Sequence, residues 1–208
     1  MPALLEPPTQ RGSALEYGPG EPQPLRWTND DVRRMSDRGE FRGKKILLID
    51  GFILDMAIPG PLHDMCVQLL KQLLMIAFGA AFTVREEKGL QTALDTNPVP
   101  DIAVVIGGIR DYQIHPTPAD CKLVVEVADT SRHFDLGTKS HLYASAGIRE
   151  YWVLDIENRK LHVHRDPFAD EASPRGHRYG TLLVLGDVES IAPLAAADKL
   201  LAIADMLP

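Results

Sequence analysis

Lys122-Leu-Val-Val-Glu-Val127, followed by Asp135-x-x-x-Lys139-x-x-x-Tyr143-x-x-x-Gly147-Ile148-x-Glu150-Tyr151-Trp152-Val-Leu-Asp155, decides how this chain folds. The first run is β-branched and apolar, the composition of a strand. The second predicts a helix over about 135–146, with an acid at the positive end of its dipole and Gly147 supplying the left-handed cap. A further apolar strand, 150–155, closes the unit and pairs with 160–164 across a polar Glu157-Asn158 turn. Glu126 interrupts the first strand. An unpaired buried carboxylate costs several kcal/mol, so Glu126 lies on an exposed face, pairs with a lysine or serves chemistry.

Working outward, Lys45-Ile-Leu-Leu-Ile-Asp50 and Phe52-Ile-Leu-Asp-Met56 flank Asp50-Gly51, a dipeptide that accepts the positive φ angles of a hairpin turn. Residues 63–78 are apolar at near-helical spacing and end at Gly79, which predicts a largely buried helix. Strands are expected at about 82–86, 91–94, 102–106 and 180–185, and a short C-terminal helix at 198–206. Thr28-Asn29-Asp30-Asp31 starts a short helix through about Ser36. Residues 1–26 are rich in proline and glycine without periodicity and read as a flexible leader, leaving 27–208 as one mixed α/β domain.

Composition narrows the function. With 208 residues, 45% of them apolar, the chain can bury one full core. A net charge of −7 argues against a protein that coats nucleic acid by bulk electrostatics. Local phosphate contacts could come from Arg33, Arg34, Arg38, Arg42, Lys44 and Lys45, or from Arg159, Lys160, His162, His164 and Arg165. Cys66 and Cys121 read as buried thiols. With no signal-like N-terminus and no run of ~18 apolar residues, the expectation is a cytoplasmic protein without a membrane partner.

Asp101 opens the strand at 102–106, and Asp101 with Glu126 is a pair able to hold a divalent cation if both reach one sheet edge. Lys139 follows Asp135 by four residues, which by spacing alone is a surface ion pair. His63, beside Asp64, can orient a water, shuttle a proton or cap the helix. His162 and His164 share one strand face, yet nothing nearby completes a zinc site. Gly-rich phosphate loops and serine-hydrolase elbows are absent from the sequence.

Ile49-Asp50-Gly51, His63, Pro100-Asp101, Val125-Glu126-Val127 and the 135–155 pattern together resemble the Uma2 family, formerly DUF820, of restriction-endonuclease-like proteins. The resemblance implies a PD-(D/E)XK nuclease fold, a mixed central β-sheet flanked by helices. It implies a DNA endonuclease in which Asp101 and Glu126 bind Mg2+ or Mn2+, the Val127 carbonyl assists, and Lys139 activates water or steadies the transition state, with His63 as a further catalytic candidate. Two positions depart from the pattern. The commonest form of the superfamily has its lysine where Ala128 stands, and Leu47 replaces a glutamate usual in the family before the hairpin. The alternative implied is a catalytically impaired nucleic-acid-binding or protein-interaction module. A homodimer, through 150–155 or the 63–78 helix, is a further expectation, although both segments read more readily as core.

Overall fold

The computed structural model describes Gly20 and residues 22–208. The leader expected over 1–26 therefore lies for the most part outside the described residues. The final stretch of that segment reaches the first hairpin, where Arg26 donates to the Asp50 carbonyl at 2.7 Å and stacks over the Phe52 ring.

Helix α1 (Asn29–Asp37) starts at a capping box, with Thr28 and Asp31 exchanging side-chain and backbone bonds. Strands β1 (Lys45–Ile49) and β2 (Phe52–Met56) form the expected hairpin. Asp50 and Gly51 both take positive φ at its turn, as a two-residue primed turn requires. Helix α2 (Pro61–Phe78) has proline in its first turn and Gly79 at its end, with φ at +65°.

The centre is a six-stranded sheet in the order β3 (Phe82–Glu86), β4 (Ile102–Ile106), β5 (Cys121–Ala128), β6 (Glu150–Asp155), β7 (Lys160–Ala169), β8 (His177–Gly186). Only β5 and β6 run parallel. The connection between them is helical: α3 (Arg132–Phe134), a π turn (Asp135–Lys139) and α4 (Ser140–Ser145). A parallel pair needs such a crossover. β9 (Ser190–Ile191) and β10 (Leu201–Ala202) pair beside the sheet.

The core divides between the two faces of the sheet. On one, α2 and the C-terminal turns pack Leu70, Leu74, Ile203 and Met206 against Val104, Leu123, Val125, Trp152 and Val163. On the other, α4 and the hairpin pack Leu142, Tyr143 and Leu47 against Ala103, Val124, Tyr151 and Val153. Both cysteines are buried and free.

Four expectations need correction. Residues 91–94 form no strand, because Thr92 and Ala93 turn back to the Thr96 carbonyl and no neighbouring strand remains to pair with them. The C-terminal helix is a short 3-10 turn, Ile203–Met206, since β10 draws the preceding residues into pairing and Ile203 donates to Glu189. Helix α2 is buried on one side only, with Leu62, Met65, Met75 and Ile76 exposed. Over Pro61–Ala81 its length and hydropathy also match a bilayer span, which the sequence reading had not found; its buried side is seated on the sheet as a core helix. Strand β6, by contrast, is buried along its whole length between β5 and β7, the core position that the sequence favoured over an interface.

Candidate active site on the polar face of the sheet

Strand alternation sets the site. Leu123, Val125 and Val127 point to the α2 side, which sends Val124, Glu126 and Ala128 to the opposite side. Asp101 shares the parity of Ala103 and Val105 and so stands on the same side as Glu126. The β4–β5 register ends at Ile102↔Val125, so β5 runs on past the start of β4. Val127 N–H is bonded there by the Asp101 carboxylate, whose Oδ2 accepts it at 2.8 Å. Asp101 N–H in turn faces Glu126 Oε2 at 3.4 Å. The two acids, 25 residues apart, are thus joined through backbone.

Glu126 is 1% exposed and Lys139 is 3% exposed. Lys139 Nζ lies 2.8 Å from Glu126 Oε2 and 2.9 Å from Asp135 Oδ1. Tyr143 donates its hydroxyl to Glu126 Oε1 at 2.7 Å, and Tyr151 donates to the Asp135 carbonyl at 2.9 Å. Spacing alone made Asp135–Lys139 a surface pair; the structure buries it, because a π turn carries both residues inward under the sheet. Such turns are rare and recur at functional sites.

Burial pushes the Glu126 carboxyl up to about 8, with Lys139 opposing the rise and the charges of Asp101 and Asp135 adding to it. For Lys139, burial would lower the pKa, but the Glu126, Asp135 and Asp101 charges outweigh it and hold the ammonium above its ordinary value. Asp101 is also strongly desolvated, yet the His63 hydrogen bond and the Lys139 charge bring it below the usual carboxylate range. His63 Nε2 sits 3.2 Å from Asp101 Oδ2. Burial lowers the His63 pKa, and its bond to Asp101 more than reverses that, leaving it raised.

A cleft of about 470 Å³ opens beside these groups, lined by Lys45, Leu47, His63, Asp101, Asp129 and Lys139, among others. Lys45 Nζ is 3.7 Å from Asp101 Oδ1 and 2.6 Å from Glu87. The structure therefore brings Asp101, Glu126, Lys139, His63 and the Val127 backbone into one place. Asp135 and Tyr143 join them without having been assigned roles from sequence, the Asp-x-x-x-Lys-x-x-x-Tyr spacing being their signal; Lys45, one of the candidate phosphate contacts, lies at the cleft as well.

The donor set fits a hard divalent cation. Two buried carboxylates, Glu126 and Asp135, flank the Lys139 ammonium, and the Asp101 carboxylate lies beside Glu126, so the acidic donors are oxygen, with the His63 imidazole next to Asp101. Among the described residues no three His, Cys, Asp or Glu side chains are grouped so that they could hold a metal ion between them. Leu47, at the place of the family glutamate, is 2% exposed and gives that wall carbon instead. The two carboxylates of Asp101 and Glu126 would leave most positions of an ion to water, which is compatible with Mg2+.

The basic clusters are largely neutralised. Arg33, Arg34, Lys44 and Arg159 pair with Asp30, Asp31, Asp55 and Asp187. Arg165 instead holds the buried Glu150 at 2.6 Å. The His164 ring lies against Tyr151 and Tyr179, and its pKa is pushed down to about 4 by burial, while His162 Nε2 rests 3.7 Å from Asp155.

The model of the Uma2 family, described as "putative restriction endonuclease", matches residues 30–195. A solved structure titled as a putative nuclease belonging to DUF820, from Anabaena variabilis, is similar with a TM-score of 0.57 and 17% identity. The match covers 77% of this chain and 88% of that one, and at this identity it speaks for the fold. No curated protein matches the chain.

Proposed function

This chain belongs to the Uma2 family, and on that premise we propose that it is a metal-dependent endonuclease that hydrolyses phosphodiester bonds of DNA. The observation that carries the reading is the junction of Asp101, Glu126 and Lys139 on one sheet face beside an open cleft. Asp101 and Glu126 would hold Mg2+ or Mn2+, with the Val127 carbonyl as a further oxygen donor. Bound there, the ion supplies Lewis-acid stabilisation of the phosphate and a water of lowered pKa.

The chain's own groups divide the remaining work. Val127 N–H and His63 fix the Asp101 carboxylate. Tyr143 and Lys139 fix that of Glu126. Lys139 keeps its positive charge within the cleft wall, where it offsets negative charge developing on the phosphate. His63 stands at the cleft with a pKa raised, against burial, by its bond to Asp101, the side chain placed to exchange a proton with the leaving oxygen. Lys45, partly exposed at the cleft, attracts the incoming phosphate.

The test is cleavage of plasmid and single-stranded DNA by purified protein with Mg2+ or Mn2+. Nicking should fall by about 100-fold or more in Glu126→Ala. Full activity surviving in that variant would place the chemistry elsewhere. A second reading, a nuclease fold kept as a nucleic-acid-binding or protein-interaction module, is favoured by the carbon wall at Leu47 and the net charge of −7. Binding of DNA without nicking under any of these conditions selects it.

A further inference from the structure

Outside the candidate active site, one other place gathers buried polar atoms that lack partners. A second cleft, of about 730 Å³, lies beside β3 and is bounded by α1, by Gln91 and Asn97, and by residues 112–115. Its size is that of small-molecule sites in general. Among the described residues, six buried side-chain atoms have no hydrogen-bond partner. Three of them, Asn29 Oδ1, Arg85 Nε and Asn97 Oδ1, belong to residues that line this cleft. Two others, His63 Nδ1 and Asp135 Oδ1, belong to the site described above, where the Asp135 oxygen is ion-paired with Lys139 at 2.9 Å without hydrogen-bond geometry. Buried polar groups are nearly always bonded, so such clusters mark where the partner comes from outside the chain.

The chemistry of the cleft narrows the partner. Arg85 is paired across the sheet with Ala103, which puts its side chain on the same face as Asp101 and Glu126. Its guanidinium lies 5.6 Å from the Tyr112 ring centroid and forms no ion pair with a carboxylate among the described residues. The acids next to it in sequence are taken: Glu86 by Lys71 and Glu87 by Lys45. Of the aspartates at the rim, Asp30 is held by Arg33 and Asp37 is exposed. Desolvation holds the Arg85 pKa below its ordinary value, with Tyr112 opposing it, as for a cation without an anion beside it. Asn29 uses its Nδ2 on the Ala93 carbonyl, leaving Oδ1 to accept.

A guanidinium free to grip an anion, amide oxygens and an aromatic ring in one cleft match three parts of one ligand class. Inorganic phosphate would use the arginine alone, and a neutral sugar would leave it unpaired. We propose that this second cleft binds a nucleotide unit, with its phosphate on Arg85 and its base edge on Asn29 and Asn97 beside the Tyr112 ring. The nucleotide is either free or one unit of a strand; for the strand, the proposal rests on the nuclease reading above, and for the free nucleotide it does not.

The experiment is calorimetric titration of the full chain in EDTA, which stops metal-dependent cleavage. The ligands are the four nucleoside 5′-monophosphates, a single-stranded DNA octamer, and inorganic phosphate. Binding of a mononucleotide or of the octamer, weakened about tenfold in Arg85→Gln and unchanged in Arg178→Gln, an exposed arginine paired with Asp170 away from both clefts, supports the proposal. Octamer binding without mononucleotide binding assigns the strand as the source. Absence of binding, equal binding by Arg85→Gln, or inorganic phosphate as tight as nucleotide overturns it. If Arg85→Gln does not fold, the side-chain 15Nε resonance of Arg85 in the wild-type protein decides: it shifts on nucleotide addition, or the proposal fails. Arg85-dependent binding by a protein that never nicks DNA would sink the nuclease reading and leave this inference standing.

Discussion

The two faces of β5 place one strand in two environments. Toward α2, Leu123, Val125 and Val127 meet Leu70, Leu74 and Trp152, and the packing there is almost wholly carbon. The exception is Glu150 near the margin, held by Arg165, by Trp152 Nε1 and by the Leu194 amide. Toward α4, the same strand buries Glu126 among Lys139, Tyr143 and Asp135. Apolar burial stabilises without regard to direction, whereas a buried carboxylate is tolerable only with its partners in place. The lesson is a division of labour: the α2 face holds the fold, and the α4 face holds a charge network that a folding domain does not need.

Substitutions should expose that division. The largest stability effect is expected for Lys139→Met, which leaves Glu126 and Asp135 buried without their cation and should cost about 3–5 kcal/mol in chemical denaturation. A loss below ~1 kcal/mol would show that water already enters the network. On the other face, Leu74→Ala should cost about 2–5 kcal/mol through its cavity, while DNA cleavage per folded molecule stays unchanged. A fall in that activity would break the division.

The third test is pH. His164, on the α4 face, is pushed down to about 4 from an ordinary 6.5, burial being the main cause and the charges of His162 and His141 adding to it. The folded protein thus keeps this ring neutral while the unfolded chain protonates it. The stability tied to it is complete above pH 6.5 and is lost as pH falls toward 4, a change on the order of 3 kcal/mol. Relative to His164→Phe, wild type should lose on the order of 3 kcal/mol as pH falls from 6.5 to 4, and parallel stability curves would show that His164 does not titrate this way. The smallest effect is expected for Tyr143→Phe, which removes one bond to Glu126 and should cost about 1–2 kcal/mol in thermal or urea unfolding. Cleavage should fall with it if Tyr143 positions the carboxylate, and hold steady if the bond only supports the fold.

Much of the fold was legible in local pattern. The hairpin at Asp50-Gly51, helix α2, β5, β6 and the β6–β7 hairpin follow from periods of two and 3.6 and from turn residues at their ends. Residues 91–94 look like a strand locally, but Thr92 and Ala93 donate back to Thr96 while Gln91 donates to Pro116 and Leu94 accepts from Asn29, so no ladder forms along them. At 198–206, β9–β10 pairing overrides helix propensity. In the site, Asp101 and Glu126 stood out as carboxylates at apolar strands. Asp135 and Lys139 did not, because an i,i+4 spacing is identical on a surface helix and in a buried π turn.

By itself, then, the sequence determined the elements and the alternation that puts Glu126 opposite Val125 and Val127, since these depend on bonds and side-chain directions within a few residues. Only the tertiary structure decided that Asp101 reaches Val127 N–H, that Lys139 turns inward to two acids, and that Arg85 stays without one among the described residues. Those outcomes depend on strand register and on which charges other elements have already taken, and both arise between segments far apart in the chain.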